Sequence, residues 1–408
     1  MNNASTKTAG LKKPSVFTKT NLLLGLVQGF YWIASCVFVS FLVRLLHYYG
    51  YNDYISGVVL MVSSIASILV QPLLGGLADR IRSVKWLIIG SLGVAAVSAW
   101  LLSMVYQNLL CVLVLIFVIF GSFRSQIYII DLWSLRVGRD DRRFHYGFTR
   151  SFGSAFYAIS AVLLGYSIDL AGGAIIIPIF IGMIVLDAAV ILCVKEPAAQ
   201  QTGRKEKQSA ITLGAAGRML MKNRQYVILL VSYCLIEMSS VPMQNYLTRK
   251  FETMGVGDFY VGLSFLIMGL LQIPTLLCMD QLHKRVTPFG LMLVSLFGIA
   301  LRCCMIAFGG SRWVVVGAFC TEFFAFGLYI GTIHVYLKGI LPTPVLYFGT
   351  TLYSAVSSGF GGILGNYLAG FLADSLGVDM MMYLLAIPGV CGLALFFFGN
   401  YRKRAGKG

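Results

Sequence analysis

The chain has 408 residues, of which 58% are hydrophobic and only 12% are charged, and its formal net charge is +16. A soluble protein of this composition would lack polar surface, so we expect roughly a dozen membrane spans of about 20 residues each. Most of the cations fall in loops at one membrane face. That asymmetry is the positive-inside pattern and argues against nucleic-acid binding.

Apolar runs separated by charged residues or by Gly, Pro and Asn predict twelve transmembrane helices. Their expected bounds are 21–46, 54–78, 86–106, 108–135, 147–169, 173–194, 226–248, 258–280, 288–308, 312–337, 344–372 and 378–400. An even number of spans puts both termini on one side, and the cations there identify it as the cytoplasm. We therefore predict an all-α protein of the inner (cytoplasmic) membrane with cytoplasmic termini.

A long polar stretch between the sixth and seventh spans predicts two pseudo-symmetric six-helix bundles. The bundles would occupy residues 1–194 and 226–408, joined by a cytoplasmic linker at 195–225. Transporters built from parallel repeats bind their solute between the halves, near the middle of the bilayer.

Cysteine spacing and catalytic motifs indicate neither redox chemistry nor an enzyme. The 9 cysteines lie in apolar runs without a CxxC or metal-ligand pattern, and the sequence has no GxSxG or P-loop motif. We expect no cofactor and no metal. The first apolar run is too long for the core of a signal peptide, so we expect it to be retained as helix 1.

Ionisable residues inside the spans are the strongest functional signal, since each costs at least ~3 kcal/mol at the centre of a lone inserted helix. They are Arg124, Asp131, Arg150, Asp187, Glu237, Arg302, Glu322 and His334. Glu237 and Glu322 lie near mid-depth, where a carboxyl group could carry a proton. The alternative is a buried ion pair with Arg302 that only fixes helix packing.

Other residues allow two interpretations each. Arg124 and Asp131 share a helix face and could form a local salt bridge or a solute clamp. Asp187 could serve packing or function, and His334 could bond a free carbonyl near a helix end. Aromatic residues beside charged groups can hold a sugar, but they are also common in protein cores and at lipid.

Gly-Gly-Leu-Ala-Asp-Arg at 75–80, followed by a basic tail, resembles the loop between helices 2 and 3 of the major facilitator superfamily. The resemblance implies that Asp79 and Arg80 lock the two halves together at the inner gate. Arg82 stands where that superfamily usually has Gly.

Residues 144–157 and 299–302 resemble helices 5 and 9 of the lactose-permease branch of sugar:proton symporters. The resemblance implies that Arg150 binds sugar hydroxyls and pairs with Asp131, and that Arg302 takes part in coupling. It also assigns to the solute site the aromatic residues Tyr31 and Tyr157, the latter stacking on the sugar ring.

The chain departs from that branch in the second half. No acid stands near 268–272, where the branch has its helix 8 carboxylate, and helix 10 offers only Glu322 around 321–324. Lactose itself is therefore not supported. We expect a proton route rebuilt around Glu237, Arg302 and Glu322.

We predict a monomeric secondary transporter that moves a sugar, oligosaccharide or similar polar solute with protons by alternating access. Its partners would be the solute, the proton and the lipid bilayer. One alternative is a proton-driven antiporter that expels amphipathic compounds. The other is a membrane sensor, for which the chain leaves little room for an output domain. The solute, the direction of transport and the choice between protons and sodium stay open.

Overall fold

A computed structural model describes residues 17–81, 83–139, 143–195 and 213–405. Its α-helices are α1 (Lys19–Ser35), α2 (Leu42–Tyr48), α3 (Asp53–Arg80), α4 (Val84–Val105), α5 (Leu109–Arg124), α6 (Gln126–Gly138), α7 (Tyr146–Ala171), α8 (Ile176–Cys193), α9 (Leu213–Lys222), α10 (Arg224–Asn245), α11 (Leu247–Thr253), α12 (Phe259–Leu277), α13 (Met279–Arg285), α14 (Pro288–Phe308), α15 (Arg312–Ala318), α16 (Phe326–Ile340), α17 (Leu346–Ser354), α18 (Gly361–Leu376) and α19 (Val378–Ala405). Short π-helical or 3₁₀ turns lie at Cys36–Ser40, Gly173–Ile175, Phe319–Phe323, Thr343–Val345 and Ala355–Phe360.

The all-α, multi-span prediction is confirmed. In the described part of the chain, 10 helical stretches are long and apolar enough to cross a membrane. The predicted eighth span corresponds to the shorter apolar stretch Phe259–Thr275, and the eleventh is divided by the π-helical turn Ala355–Phe360. The division into two pseudo-symmetric bundles stays a prediction.

The fourth and the tenth predicted spans are also interrupted. The fourth bends at Ser125, between α5 and α6. The tenth contains the 3₁₀ turn Phe319–Phe323, after which Ala325 leaves helical geometry with φ −95° and ψ −107°. The Thr275 hydroxyl donates to the carbonyl of Phe323, and the Ser295 hydroxyl donates to that of Ala325 at 2.8 Å. Hydroxyls from neighbouring helices thus satisfy carbonyls that the break removes from the helical ladder.

The predicted linker at 195–225 is partly helical. Helix α9 occupies Leu213–Lys222, and its Leu220 is fully buried beside Tyr226 and Leu341. An apolar side chain of this segment therefore packs on the membrane helices, and the cytoplasmic position of the linker stays a prediction. Residues 196–212 lie outside the described part.

Two helix crossings join the first six spans to the last six at the face opposite the cation-rich loops, hereafter the opposite face. Helix α3 crosses α18 so closely that a Cβ on Gly57 would lie 2.6 Å from the Gly370 Cα. Helix α7 meets the start of α12, where a Cβ on Gly165 would lie 2.3 Å from the backbone carbonyl oxygen of Asp258. Glycine at these positions lets the backbones touch, so this face is closed.

Candidate solute site

One wall of a cleft between the first and last six spans carries an acid and a base from different helices. Asp131 on α6 and Arg150 on α7 approach to 4.0 Å, with side chains 24% and 31% exposed. Gln28 on α1 donates to the Asp131 carboxylate at 2.7 Å. The Arg150 guanidinium lies 4.6 Å from the centre of the Trp32 ring. A carboxylate and a guanidinium that stay partly exposed offer acceptors and donors to hydroxyl groups.

The two tyrosines predicted for the site differ in position: Tyr31 lies inside the first six spans, whereas the Tyr157 ring lies 6.2 Å from that of Phe265 on α12. Tyr31 is buried, and its hydroxyl donates to the Phe123 carbonyl at 3.3 Å. The Tyr157 and Ser40 hydroxyls share a hydrogen bond of 2.9 Å, and the Tyr157 ring contacts Trp32 edge to face at 6.0 Å. Both tyrosines contact the Trp32 ring, and direct solute contact by either stays a prediction.

The other wall contains a sealed ion pair. Arg302 on α14 donates to Glu322 at 2.8 Å and to the Ser240 hydroxyl at 3.2 Å, and its guanidinium lies 5.8 Å from the Phe319 ring centre. Glu322 belongs to the 3₁₀ turn that breaks the tenth span. The pairing that the sequence left open is therefore made by Arg302 and Glu322.

Glu237 lies within electrostatic reach of Arg302 and next to a cluster of tyrosines. It is almost completely buried on α10 and lies beside Tyr233. The rings of Tyr233 and Tyr329 stack at 4.2 Å, and the Tyr329 hydroxyl donates to that of Tyr353 at 3.1 Å. The Cβ of Glu237 approaches the position of a Cβ on Gly361 to 2.9 Å, at the end of the π-helical turn. Such turns are frequent at functional sites.

Charged and phenolic groups of the two walls reach each other across the cleft. Arg124 lies within electrostatic reach of Glu237, and Tyr128 within reach of Tyr329. Arg124 and Tyr128 are both exposed.

Closure at the opposite face is reinforced by ion pairs between the first and last six spans. Arg249 donates to both Asp53 carboxylate oxygens at 2.9 Å, and the His47 ring nitrogen lies 3.1 Å from the same carboxylate. The Tyr246 hydroxyl donates to the Asp53 carbonyl at 2.7 Å. Contacts to both the carboxylate and the backbone carbonyl of Asp53 therefore position α3 against α11.

A second contact closes the same face beside α7. Arg44 lies 3.0 Å from the Asp258 carboxylate, and the Asp169 carboxylate accepts hydrogen bonds from the backbone N–H groups of Asp258 and Phe259. Asp258 precedes the eighth span. Burial raises its pKa to about 7, Arg44 opposes that rise, and the nearby carboxylates of Asp169 and Glu252 add to it.

The other charged residues singled out from the sequence make none of the wall contacts given above. The carboxyl of Asp187 is buried on α8, and none of the described residues offers it a hydrogen bond. His334 and Arg80 are exposed. The side chain of Asp79 and all of Arg82 lie outside the described residues. Among the residues that the structure describes, no group of three His, Cys, Asp or Glu side chains could hold a metal ion.

Sequence reasoning missed Gln28 at the first wall and the ionic contacts of the opposite face. Gln28 carries no charge, and therefore it did not stand out among the polar residues of helix 1. Arg44 and Arg249 did carry a signal, because cations are rare in loops at that face. Their opposing acids come from distant parts of the sequence, and only the fold brings them together.

The profile of the MFS_1 like family matches residues 23–384. The chain is 22% identical over 380 residues to the uncharacterized transporter YwbF of Bacillus subtilis (strain 168), covering 91% of this chain and 92% of that protein. It is 23% identical over 353 residues to the maltose permease of Geobacillus stearothermophilus, covering 86% and 87%.

The fold is also similar to solved transporters. A crystal structure of a mutant of the nucleoside transporter NupG superposes with a TM-score of 0.81 at 16% identity, covering 93% of this chain and 99% of that one. An inward-facing, unoccupied bacterial homolog of the human lysosomal transporter Spinster gives a TM-score of 0.67 at 11% identity, covering 96% and 98%. These likenesses support the fold.

Proposed function

The chain belongs to the MFS_1 like family, and from that membership we propose that it is a proton-coupled symporter for a sugar, an oligosaccharide or a similar hydroxylated solute. The superfamily predicted from residues 75–80 is thereby confirmed. The protein is a multi-pass membrane transporter of small-molecule solutes and not an enzyme. Proton coupling and the class of solute are the proposed parts.

The observation that carries this proposal is the cleft with different chemistry on its two walls. The partly exposed Asp131–Arg150 pair supports a solute-binding role, because it can exchange its mutual contact for hydrogen bonds to hydroxyl groups. The sealed Arg302–Glu322 pair supports a coupling role, because a buried carboxyl group can hold a proton once its cation moves away. Glu237, which lies beside the tyrosine cluster, would assist in proton coupling.

Closure at the opposite face supports alternating access between two bundles, 1–194 and 226–408. With both termini in the cytoplasm, the present conformation would be inward-facing. Asp79 and Arg80 would stabilise the inner gate after the cleft closes on that side. We propose further that the protein works as a monomer in the cell membrane.

Two of the similar proteins, the maltose permease and NupG, suggest which solutes to try first. One is called a maltose permease and the other a nucleoside transporter, and maltose and nucleosides both present hydroxylated rings. A site of this kind binds such rings through hydrogen bonds to the hydroxyl groups at the ring edges. We therefore choose maltose and uridine as the first probes.

The proposal is tested with purified protein in liposomes under an imposed pH gradient. We expect accumulation of labelled maltose or uridine with simultaneous proton entry, abolished by a protonophore and unaffected by replacing sodium with potassium. Accumulation driven by sodium alone would overturn proton coupling. Proton-driven export of amphipathic dyes without sugar or nucleoside uptake would favour the antiporter instead.

A further inference from the structure

The exposed tyrosine on the first wall has no role in the site described so far. Tyr128 lies on α6 and is 57% exposed. It stands one turn before Asp131 on the same helix, so these two side chains share a helix face. Its phenol lies within electrostatic reach of Tyr329 on α16, which belongs to the last six spans.

Other rings near the cleft are already covered by protein. The Trp32 ring has the Arg150 guanidinium near its face, at 4.6 Å. Tyr329 is sandwiched between Tyr233 at 4.2 Å and Phe326 at 5.6 Å, both nearly parallel to it. Tyr128, by contrast, makes no ring contact with any described residue. Its faces are therefore open to a molecule in the cleft.

We propose that Tyr128 is the surface on which the solute stacks while Asp131 and Arg150 bind its hydroxyl groups. An aromatic face next to a carboxylate and a guanidinium suits a ring that has polar edges and at least one apolar face. The solute class that we infer is then a sugar or nucleoside ring. The inference rests on the proposed function as a carrier of hydroxylated solutes.

Uptake kinetics in liposomes test this assignment with three variants. Tyr128→Ala is expected to raise KM for the transported probe, maltose or uridine, about tenfold while Vmax stays within about twofold, as the loss of one stacked ring would. Tyr128→Phe keeps the ring and should keep the wild-type KM. Tyr166→Ala is the matched control, because Tyr166 is 56% exposed on α7 and lies far along that helix from Arg150.

An unchanged KM in Tyr128→Ala, with wild-type protein transporting normally, would overturn the inference and leave the proposed function intact. A wild-type protein that accumulates neither probe would instead overturn the proposed function. Should Tyr128→Ala fail to fold, Tyr128→Leu takes its place, and the same rise in KM is expected from it.

A binding measurement decides the inference without transport. In Tyr128→Cys, maltose or uridine should slow modification of the new thiol by a membrane-impermeant reagent, with wild-type protein giving the background from its own cysteines. Protection that saturates with the probe supports stacking at this position. Unprotected labelling at saturating concentrations of both probes would refute it.

Discussion

Arg302 Nη1 donates to Glu322 Oε2 at 2.8 Å, and the two side chains are only 2% and 1% exposed. The pair joins α14 to the break in the tenth span. A buried ion pair of this kind must separate, or take up a proton, before either partner can move to a different environment. The coupling step proposed above depends on this relationship.

Replacing the buried acid by its amide should uncouple solute movement from protons. Glu322→Gln can still accept from Arg302 but cannot release a proton, so we expect pH-driven accumulation to be lost and counterflow exchange to be kept. Both are measured in liposomes with the same labelled probe. Asp374→Asn, an exposed acid on α18, is the control and should accumulate normally. Accumulation against a gradient by Glu322→Gln would rule out Glu322 as the coupling group.

Arginine should be required at position 150 for its shape as well as for its charge. Arg150→Lys keeps the charge but loses the planar fork and the stacking on Trp32, so KM should rise about tenfold. Arg312→Lys is the matched control, because Arg312 lies 5.3 Å from the Tyr260 ring centre, outside the cleft. Equal KM values for wild type and Arg150→Lys would argue that a simple positive charge suffices.

A side chain at the α3–α18 crossing should keep the opposite face from closing. In Gly57→Val the added Cβ would lie 2.6 Å from the Gly370 Cα, a backbone atom that cannot rotate away. We expect transport to stop and Ser64→Cys, introduced on the same helix, to become more reactive with a thiol reagent applied at that face. Gly93→Val is the control, since nothing lies within 4 Å of its added Cβ. Unchanged labelling in Gly57→Val would show that this crossing does not govern closure.

Acid should favour closure at the opposite face through Asp258. Burial raises the pKa of Asp258 to about 7, so the closed conformation binds this proton more tightly than a conformation that exposes the carboxyl. This stabilisation of the closed conformation is complete below the ordinary carboxyl pKa and is lost as the pH rises through about 7. The equilibrium between the closed and open conformations then changes by at most about tenfold per pH unit.

Labelling of Ser64→Cys between pH 8 and pH 5 measures this effect. It should fall with acidification in the wild-type background, and the fall should be smaller in Asp258→Asn. The same measurements are made in a His47→Gln background. This background removes any contribution from the imidazole that contacts Asp53 at the same face. Identical pH profiles with and without the Asp258 carboxyl would contradict the assignment.

The sequence alone was sufficient to identify the apolar helical stretches and the ionisable residues within them. Hydrocarbon cannot hydrogen-bond the backbone, so each crossing must be a long apolar helix, and its composition shows in any window of the chain. A charge inside such a window is equally visible because it is costly there. Arg302 and Glu322 were therefore found as candidates before the sequence could decide whether they pair.

Only the tertiary structure decided the partners. Arg302 pairs with Glu322 while Glu237 lies among tyrosines, a choice that depends on how α10 and α14 are rotated against each other. The break at Ala325 depends in the same way on a hydroxyl donated by Ser295, 30 residues earlier. Contacts between helices are set by packing geometry across the whole molecule, and a single span carries no record of which neighbour its polar groups will meet.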